Sequence, residues 1–281
     1  MGKSVLVAFG SKSDLEKFPN LIDSDFKATN DFSLKLPDTE YHLSIASAHR
    51  TPEVVERHAK RLWDAVIAGA GMCNALKDVY LRHSGPDAVL VALPMRDSKT
   101  GGLSSVLSSS EMPPGYPIAA APMENLDTAL RFSNAMIGKE YRKVTVFADA
   151  HATSKKVVDN AEKMLKSLGI TYSFESDSKN ANSGTVNLIT YGHSLPVWLN
   201  NNVFFVASYS TPLKPDNAGA YMHEFSARPN VVHTGIADGG NLALYAARIV
   251  ARHDGDVRAR IDEYLKTGRD KYAGFELTKV L

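Results

Sequence analysis

Short apolar runs that each stop at a glycine, a proline or a polar cluster recur along this chain, and that rhythm constrains the fold more than any other feature. Val5-Leu6-Val7-Ala8-Phe9 stops at Gly10, Ala65-Val66-Ile67-Ala68 at Gly69, and Asp87 to Leu93 at Pro94, and His42 to Ala46 gives a further strand ahead of Ser47. Runs that are apolar throughout belong to strands buried on both faces, as parallel sheets require. Between them the pattern turns helical: Pro52 suits a first helical turn, and Val54, Val55, His58, Leu62 and Val66 fall near helical spacing. The alternation predicts an α/β fold with a doubly wound parallel sheet, whose ligands bind at the carboxyl ends of the strands. Residues 18 to 40 interrupt it with Pro19, Asp23, Asp25, Asn30, Asp31, Pro37 and Asp38, which predicts a helix broken by an insertion.

The rhythm starts again at Lys143, where Val144-Thr145-Val146-Phe147 repeats the opening strand and Ala148-Asp149-Ala150-His151 replaces its polar turn. Phe147 answers Phe9, Ser176 answers Ser47, Val206-Ala207 answers Val91-Ala92, and Val231 answers Ile118. The separations shrink steadily, as in a colinear second copy shortened by deletions. The chain therefore divides into residues 1–140 and 141–281. Only the second part ends in a long helix pattern, from Asn241 to Leu265.

A chain of 281 residues suits one large domain or two ordinary ones, and 44% apolar with 22% charged residues describes a globular protein. The net charge of +1 gives no basis for non-specific binding to nucleic acid or an acidic membrane. Cys73 is the one cysteine, which excludes an internal disulfide and suits a reducing compartment. The apolar run after Met1-Gly2-Lys3 is too short for a signal peptide or a membrane span, so a cytoplasmic protein is expected. His151, His193, His223 and His233 show none of the short spacings of zinc sites.

The polar turns carry the chemistry. Gly10-Ser11-Lys12-Ser13-Asp14 offers hydroxyls and backbone N–H groups to an anion or a ribose, although a plain helix cap uses the same residue types. Ser47-Ala48-His49-Arg50-Thr51-Pro52 sets a proton carrier beside a fixed cation. In Gly69-Ala70-Gly71-Met72-Cys73-Asn74-Ala75-Leu76 the glycines let backbone approach a ligand closely. Met112-Pro113-Pro114-Gly115 reads as a rigid turn that can also line a site.

Together, GSKSD at 10 to 14, SAHRTP at 47 to 52, AGAG at 68 to 71 with Asn74 to Leu76, and GLSSVLSSSEMPPGYPI at 102 to 118 resemble the PurE family, which acts on aminoimidazole ribonucleotide in purine biosynthesis. The second part resembles it more faintly, best in NLALYAARIVARHD from Asn241 to Asp254. The resemblance implies a flavodoxin-like three-layer fold in two tandem copies, of which only the first keeps the site motifs. It implies a carboxyl group placed on C4 of the imidazole, from carbon dioxide or from the N5 carbamate, with no metal or organic cofactor. It also implies sites between subunits of an octamer, hence a tetramer of tandem chains.

What such a reaction needs can be assigned along the motifs. Ser11, Ser13, Ser47 and Arg50 suit a phosphate, and Asp14 suits ribose hydroxyls. Carboxylation leaves C4 with a proton to lose, and His49 is the proton carrier placed to take it. Gly69, Ala70, Gly71, Asn74 and Leu76 would close over the base, and Met112 would line the site. The loop sequence Asn74-Ala75-Leu76 resembles the direct carboxylases, with Ala75 where mutases carry a histidine, whereas Arg50 and the loop length resemble the mutases. Direct carboxylation of the ribonucleotide is the first expectation, the N5-to-C4 mutase the second, and a nucleotide-binding protein without turnover the third.

Overall fold

The computed structural model describes residues 2–22, 38–72, 74–148, 152–192, 194–195, 199–212, 214 and 216–273. Cys73, His193, the turn 149–151 and most of the interrupting segment lie outside them.

In chain order the first half comprises β1 (Lys3–Phe9), α1 (Lys12–Leu15), α2 (Pro19–Ile22), β2 (Thr39–Ile45), α3 (Pro52–Ala59), β3 (Ala65–Ala70), α4 (Leu76–His83), β4 (Val89–Pro94), α5 (Leu103–Ser110), β5 (Ala119–Ala120) and α6 (Leu126–Gly138). The second comprises β6 (Lys143–Ala148), α7 (Ala152–Ser167), β7 (Thr171–Glu175), a 3₁₀ turn (Ser178–Asn180), β8 (Val186–Tyr191), β9 (Phe205–Tyr209), α8 (Ala218–Ala227), β10 (Val231–Ile236), α9 (Gly239–Ala251) and α10 (Gly255–Ala273). No helix among the described residues is long and apolar enough to cross a membrane.

Among the described residues, ten strands form one sheet in the order β2-β1-β3-β4-β5-β10-β9-β8-β6-β7. Each half has the doubly wound order 2-1-3-4-5 and is parallel throughout. The halves join antiparallel, through Ala120 of β5 opposite His233 of β10. This join turns the second half end for end, so the carboxyl ends of β1 to β4 lie at one edge of the sheet and those of β8 to β10 at the other.

Successive side chains point to opposite faces. Val5, Val7 and Phe9 face the layer of α6, α7 and α9, and Leu6 and Ala8 face that of α3, α4, α5 and α8. Both apolar cores cross residue 140, drawing Val144, Leu188 and Leu242 into one and Phe147, Ile189 and Tyr191 into the other.

The junction is built twice. Glu124 before α6 and Ala237 before α9 both take left-handed backbone, with φ of 57° and 55°. Asn125 and Asp238 then cap the two helices, accepting from Thr128 N and Asn241 N at 2.9 Å. Each of those capped residues reaches into the other half: Thr128 Oγ1 donates to Pro229 O at 2.7 Å, and Asn241 engages residues 112 to 116. Phe132 of α6 and Tyr245 of α9 stack beside the join, their centroids 6.2 Å apart.

The last two helices also hold the amino edge of the first half. Arg248, 1% exposed, donates from Nε to Ala88 O at 3.1 Å and from Nη2 to Gly85 O at 2.5 Å. Burial lowers its pKa to about 10, which leaves it charged at neutral pH. Arg252 pairs with Asp64 at 2.6 Å and Arg258 with Asp87 at 2.9 Å.

Several local expectations need correction. The helix that opens at Pro52 stops at Ala59, Leu62 is exposed, and Val66 belongs to β3. The final helix pattern is two helices, because Asp254 accepts from Asp256 N and Val257 N at 3.0 Å and starts a new one. β3 runs on to Ala70, so the glycine-rich segment begins inside a strand.

Candidate functional site

The carboxyl edge of the first half gathers four strand-end turns. Leaving β1, Ser11 Oγ accepts from Asp14 N at 3.1 Å, donates to Asp14 Oδ2 at 2.7 Å and lies 2.9 Å from Ser13 Oγ. Asp14 is thereby held nearly buried, at 8% exposure, while Ser13 stays exposed. Gly10 N donates to Gly69 O at 2.8 Å, and a Cβ at Gly10 would come 3.0 Å from Ala70 Cβ. The first and third turns therefore approach as closely as glycine permits.

After β2, Ala46 N donates to Phe9 O at 3.0 Å and prolongs the pairing by one residue. Ser47 and Thr51 then close a turn on each other, Ser47 N donating to Thr51 Oγ1 at 3.0 Å and Thr51 N to Ser47 O at 2.9 Å. Ser47 Oγ accepts from His49 N and from Arg50 N, both at 3.3 Å. Its two acceptor positions are thus taken, and its hydroxyl hydrogen remains to donate outward. His49 and Arg50 stand exposed on this braced turn.

The turn after β3 passes Gly71, where a Cβ would lie 3.6 Å from Arg96 O and from Asp97 Cβ, and 3.7 Å from Asp14 Oδ1. Met72 follows in left-handed backbone, φ 50°, with its side chain half exposed. Asn74 is fully buried: its N donates to Ser108 Oγ at 3.0 Å, its Nδ2 to Ala68 O at 2.9 Å, and its Oδ1 has no hydrogen-bond partner among the described residues. Ser105 Oγ donates to Ala70 O at 2.6 Å and accepts from Met95 N at 3.1 Å. Two serines of the GLSSVLSSS motif therefore pin the β3 turn from behind.

After β4, Asp97 folds its turn shut, accepting from Thr100 Oγ1 at 2.6 Å, Thr100 N at 2.8 Å and Lys99 N at 2.9 Å. Those hydrogen bonds, the Thr100 hydroxyl first, lower its carboxyl to about 2. Lys17 Nζ donates to Arg96 O at 2.6 Å and to Glu124 Oε1 at 2.8 Å, and Arg96 Nε lies 3.4 Å from Glu124 Oε2. Burial of Glu124 opposes ionisation, but the Lys17 hydrogen bond, the Arg96 N–H and the two cations outweigh it and lower its pKa.

Ser11, Ser13, Asp14, Ser47, His49, Arg50, Ala70, Gly71 and Asn74 thus share one edge. Gly69 lies within β3, where a Cβ would meet Phe9 Cδ1 at 3.0 Å, so its missing side chain makes room for that ring. Leu76 packs into the core. Met112 stands at the opposite edge, because α5 runs back toward the amino end of β5. There Asn241 holds its segment, Oδ1 accepting from Gly115 N at 2.9 Å and Tyr116 N at 3.0 Å, and Nδ2 donating to Pro113 O at 2.9 Å. Sequence reading passed over Lys17, Arg96, Asp97, Ser105, Ser108 and Glu124. The serines lay in a motif already noticed; the charged residues had no spacing to mark them.

A model of the family described as AIR carboxylase matches residues 4–157. A protein of Methanocaldococcus jannaschii named N5-carboxyaminoimidazole ribonucleotide mutase is 31% identical over 179 residues, covering 62% of this chain and 96% of that protein. A mutase of the same name from Saccharolobus solfataricus is 28% identical, covering 50% of this chain and 84% of that protein. The chloroplastic phosphoribosylaminoimidazole carboxylase of Vigna aconitifolia is 34% identical over 102 residues, 35% of this chain and 18% of that longer protein. The family match takes in more than half of the sequence and every strand-end turn of the edge just described, and the chain belongs to the AIR carboxylase family.

Proposed function

We propose that this chain is an enzyme of purine biosynthesis that places a carboxyl group on C4 of 5-aminoimidazole ribonucleotide, at one site per chain on the carboxyl edge of β1 to β4. The observation that carries this is the convergence of three turns: Asp14 Oδ1 3.7 Å from where a Cβ on Gly71 would stand, β1 and β3 joined at Gly10, and His49 with Arg50 displayed on the adjoining turn. Ser13, the free hydrogen of Ser47 and Arg50 serve the phosphate, while Asp14 serves the ribose. When C4 bonds to the incoming carbon it keeps its hydrogen and the ring loses aromaticity. His49 takes that proton and restores the ring. Asn74, fixed through Ala68 and Ser108, holds the β3 turn in place over the base.

Direct carboxylation is the first reading, since Ala75 offers no second proton carrier in the turn. The N5-to-C4 mutase is the second, favoured by the archaeal relatives' names and the 96% coverage of one of them. Purified protein given the ribonucleotide with bicarbonate, or the N5 carbamate alone, decides by which one yields the 4-carboxylated product. Product from neither contradicts both and leaves a binding protein.

The second half serves as architecture, a duplicated copy that has lost the site residues. The repeated strand order and the doubled junction support this. Ala120 and His233 stand as each other's counterparts, and the ladder registers carry the match outward from them. Ala92 then answers Ala207 and Gly69 answers Thr190, while Phe9 answers Ala148 and Ser47 answers Ser178. The sequence pairing of Phe9 with Phe147 is one residue out of step, for these rings lie on opposite faces of the sheet. Asn180 then takes the place of His49, where pairing Ser176 with Ser47 would put Ser178. Four such chains would form the assembly that the resemblance implies; full activity in a monomer, seen by light scattering, would contradict it.

A further inference from the structure

The two junctions provide an internal comparison. Glu124 N donates to Pro94 O at 2.9 Å, and Ala237 N donates to Tyr209 O at 2.6 Å, at corresponding places and with nearly the same left-handed φ. The turn therefore accepts alanine, and its backbone gives no reason for a glutamate at 124. Thr211 takes the place of Arg96, and its hydroxyl donates to Gly192 O at 2.7 Å. What the first half adds is a carboxylate that binds Lys17 Nζ at 2.8 Å and Arg96 N at 3.0 Å, with Lys17 also closing on Arg96 O at 2.6 Å.

These contacts join the segment after α1, which follows Ser13 and Asp14, to the turns after β4 and β5. Lys17 and Glu124 are about one-third and one-quarter exposed, so the pair contributes only about 0–1 kcal/mol to folding. Its effect is geometric. A Cβ on Gly71 would lie 3.6 Å from Arg96 O and from Asp97 Cβ and 3.7 Å from Asp14 Oδ1, so sliding the β4 turn would change the space that Gly71 leaves beside Asp14.

We propose that Glu124 is a positioning residue: with Lys17 and Arg96 it fixes the turns after β1, β4 and β5 in one arrangement and so sets how tightly the phosphoribosyl end of the substrate seats against Ser13 and Asp14. The choice of substrate rests on the function proposed above; the tethering does not. Glu124→Ala, Lys17→Met and the double variant are compared by steady-state kinetics with whichever of 5-aminoimidazole ribonucleotide plus bicarbonate and its N5 carbamate the wild type turns over, and by hydrogen exchange of segments 10–17 and 95–102. Each single change should raise KM about tenfold with kcat altered less than about twofold, should speed exchange in both segments, and should leave the double variant no worse than either. Unchanged exchange in both segments overturns the tethering, and an unchanged KM in an active enzyme overturns its role in substrate seating. If the wild type turns over neither substrate while exchange responds as expected, the substrate assignment fails and the tether stands.

Discussion

Ala120 and His233 face each other across the antiparallel join that makes one sheet of two halves. The alanine side is apolar core; the histidine is buried, with Nδ1 3.0 Å from Tyr191 OH and its ring 4.8 Å from that of Phe225. Burial lowers its pKa from 6.5 to about 3. The folded chain therefore refuses a proton that the unfolded chain accepts below pH 6.5. Its contribution to stability is complete above that pH and falls as pH drops toward 3, at up to about 1.4 kcal/mol per unit. Urea midpoints should show the wild type losing about 2 kcal/mol more than His233→Gln between pH 7 and pH 5. Parallel pH profiles would contradict it.

Asn241 holds the 112–116 segment with both ends of its amide, at 1% exposure. Asn241→Ala strands the part-buried backbone donors of Gly115 and Tyr116 and should cost about 1–3 kcal/mol in urea unfolding. Asn241→Asp keeps the acceptor but sets a carboxylate against Pro113 O, so it should be no milder at neutral pH. A loss under about 0.5 kcal/mol in either would show that the segment is held by other contacts.

The relation between Phe9 and Gly69 tests the proposed repeat. In the second half Ala148 and Thr190 stand in their places, a small residue facing a larger one. Gly69→Thr should overpack against Phe9 and cost about 1–3 kcal/mol, and Phe9→Ala should leave a cavity costing about 3–5 kcal/mol. The double variant should recover at least about 1 kcal/mol of their sum. Strict additivity would argue against equivalence of the two pairs.

The parallel strands and their polar turns are legible because β1, β3 and β4 are apolar runs that end at visible breakers, whereas β2, an edge strand of mixed composition, is marked mainly by the polar turn that follows it. The join is not: β5 contributes two alanines, and nothing local in Ile118 to Ala121 reveals an antiparallel partner far along the chain. Met112 lies at the opposite edge from His49 within one chain, a separation that sequence order hides because it does not show which edge a return loop reaches. Lys17, Arg96 and Glu124 come from three separate turns, so no periodicity links them. Phe9 and Phe147 look alike in sequence, yet they lie in different cores on opposite faces of the sheet.

His49→Asn puts the central claim to its most direct test. The backbone N–H of residue 49 makes the bond to Ser47, so the turn survives the change. With the ribonucleotide plus bicarbonate, or with the N5 carbamate, formation of the 4-carboxylated product should fall at least about a hundredfold. Binding of the ribonucleotide by calorimetry should stay within about threefold. Turnover retained in His49→Asn would contradict the account, because the proton on C4 would then leave by another route.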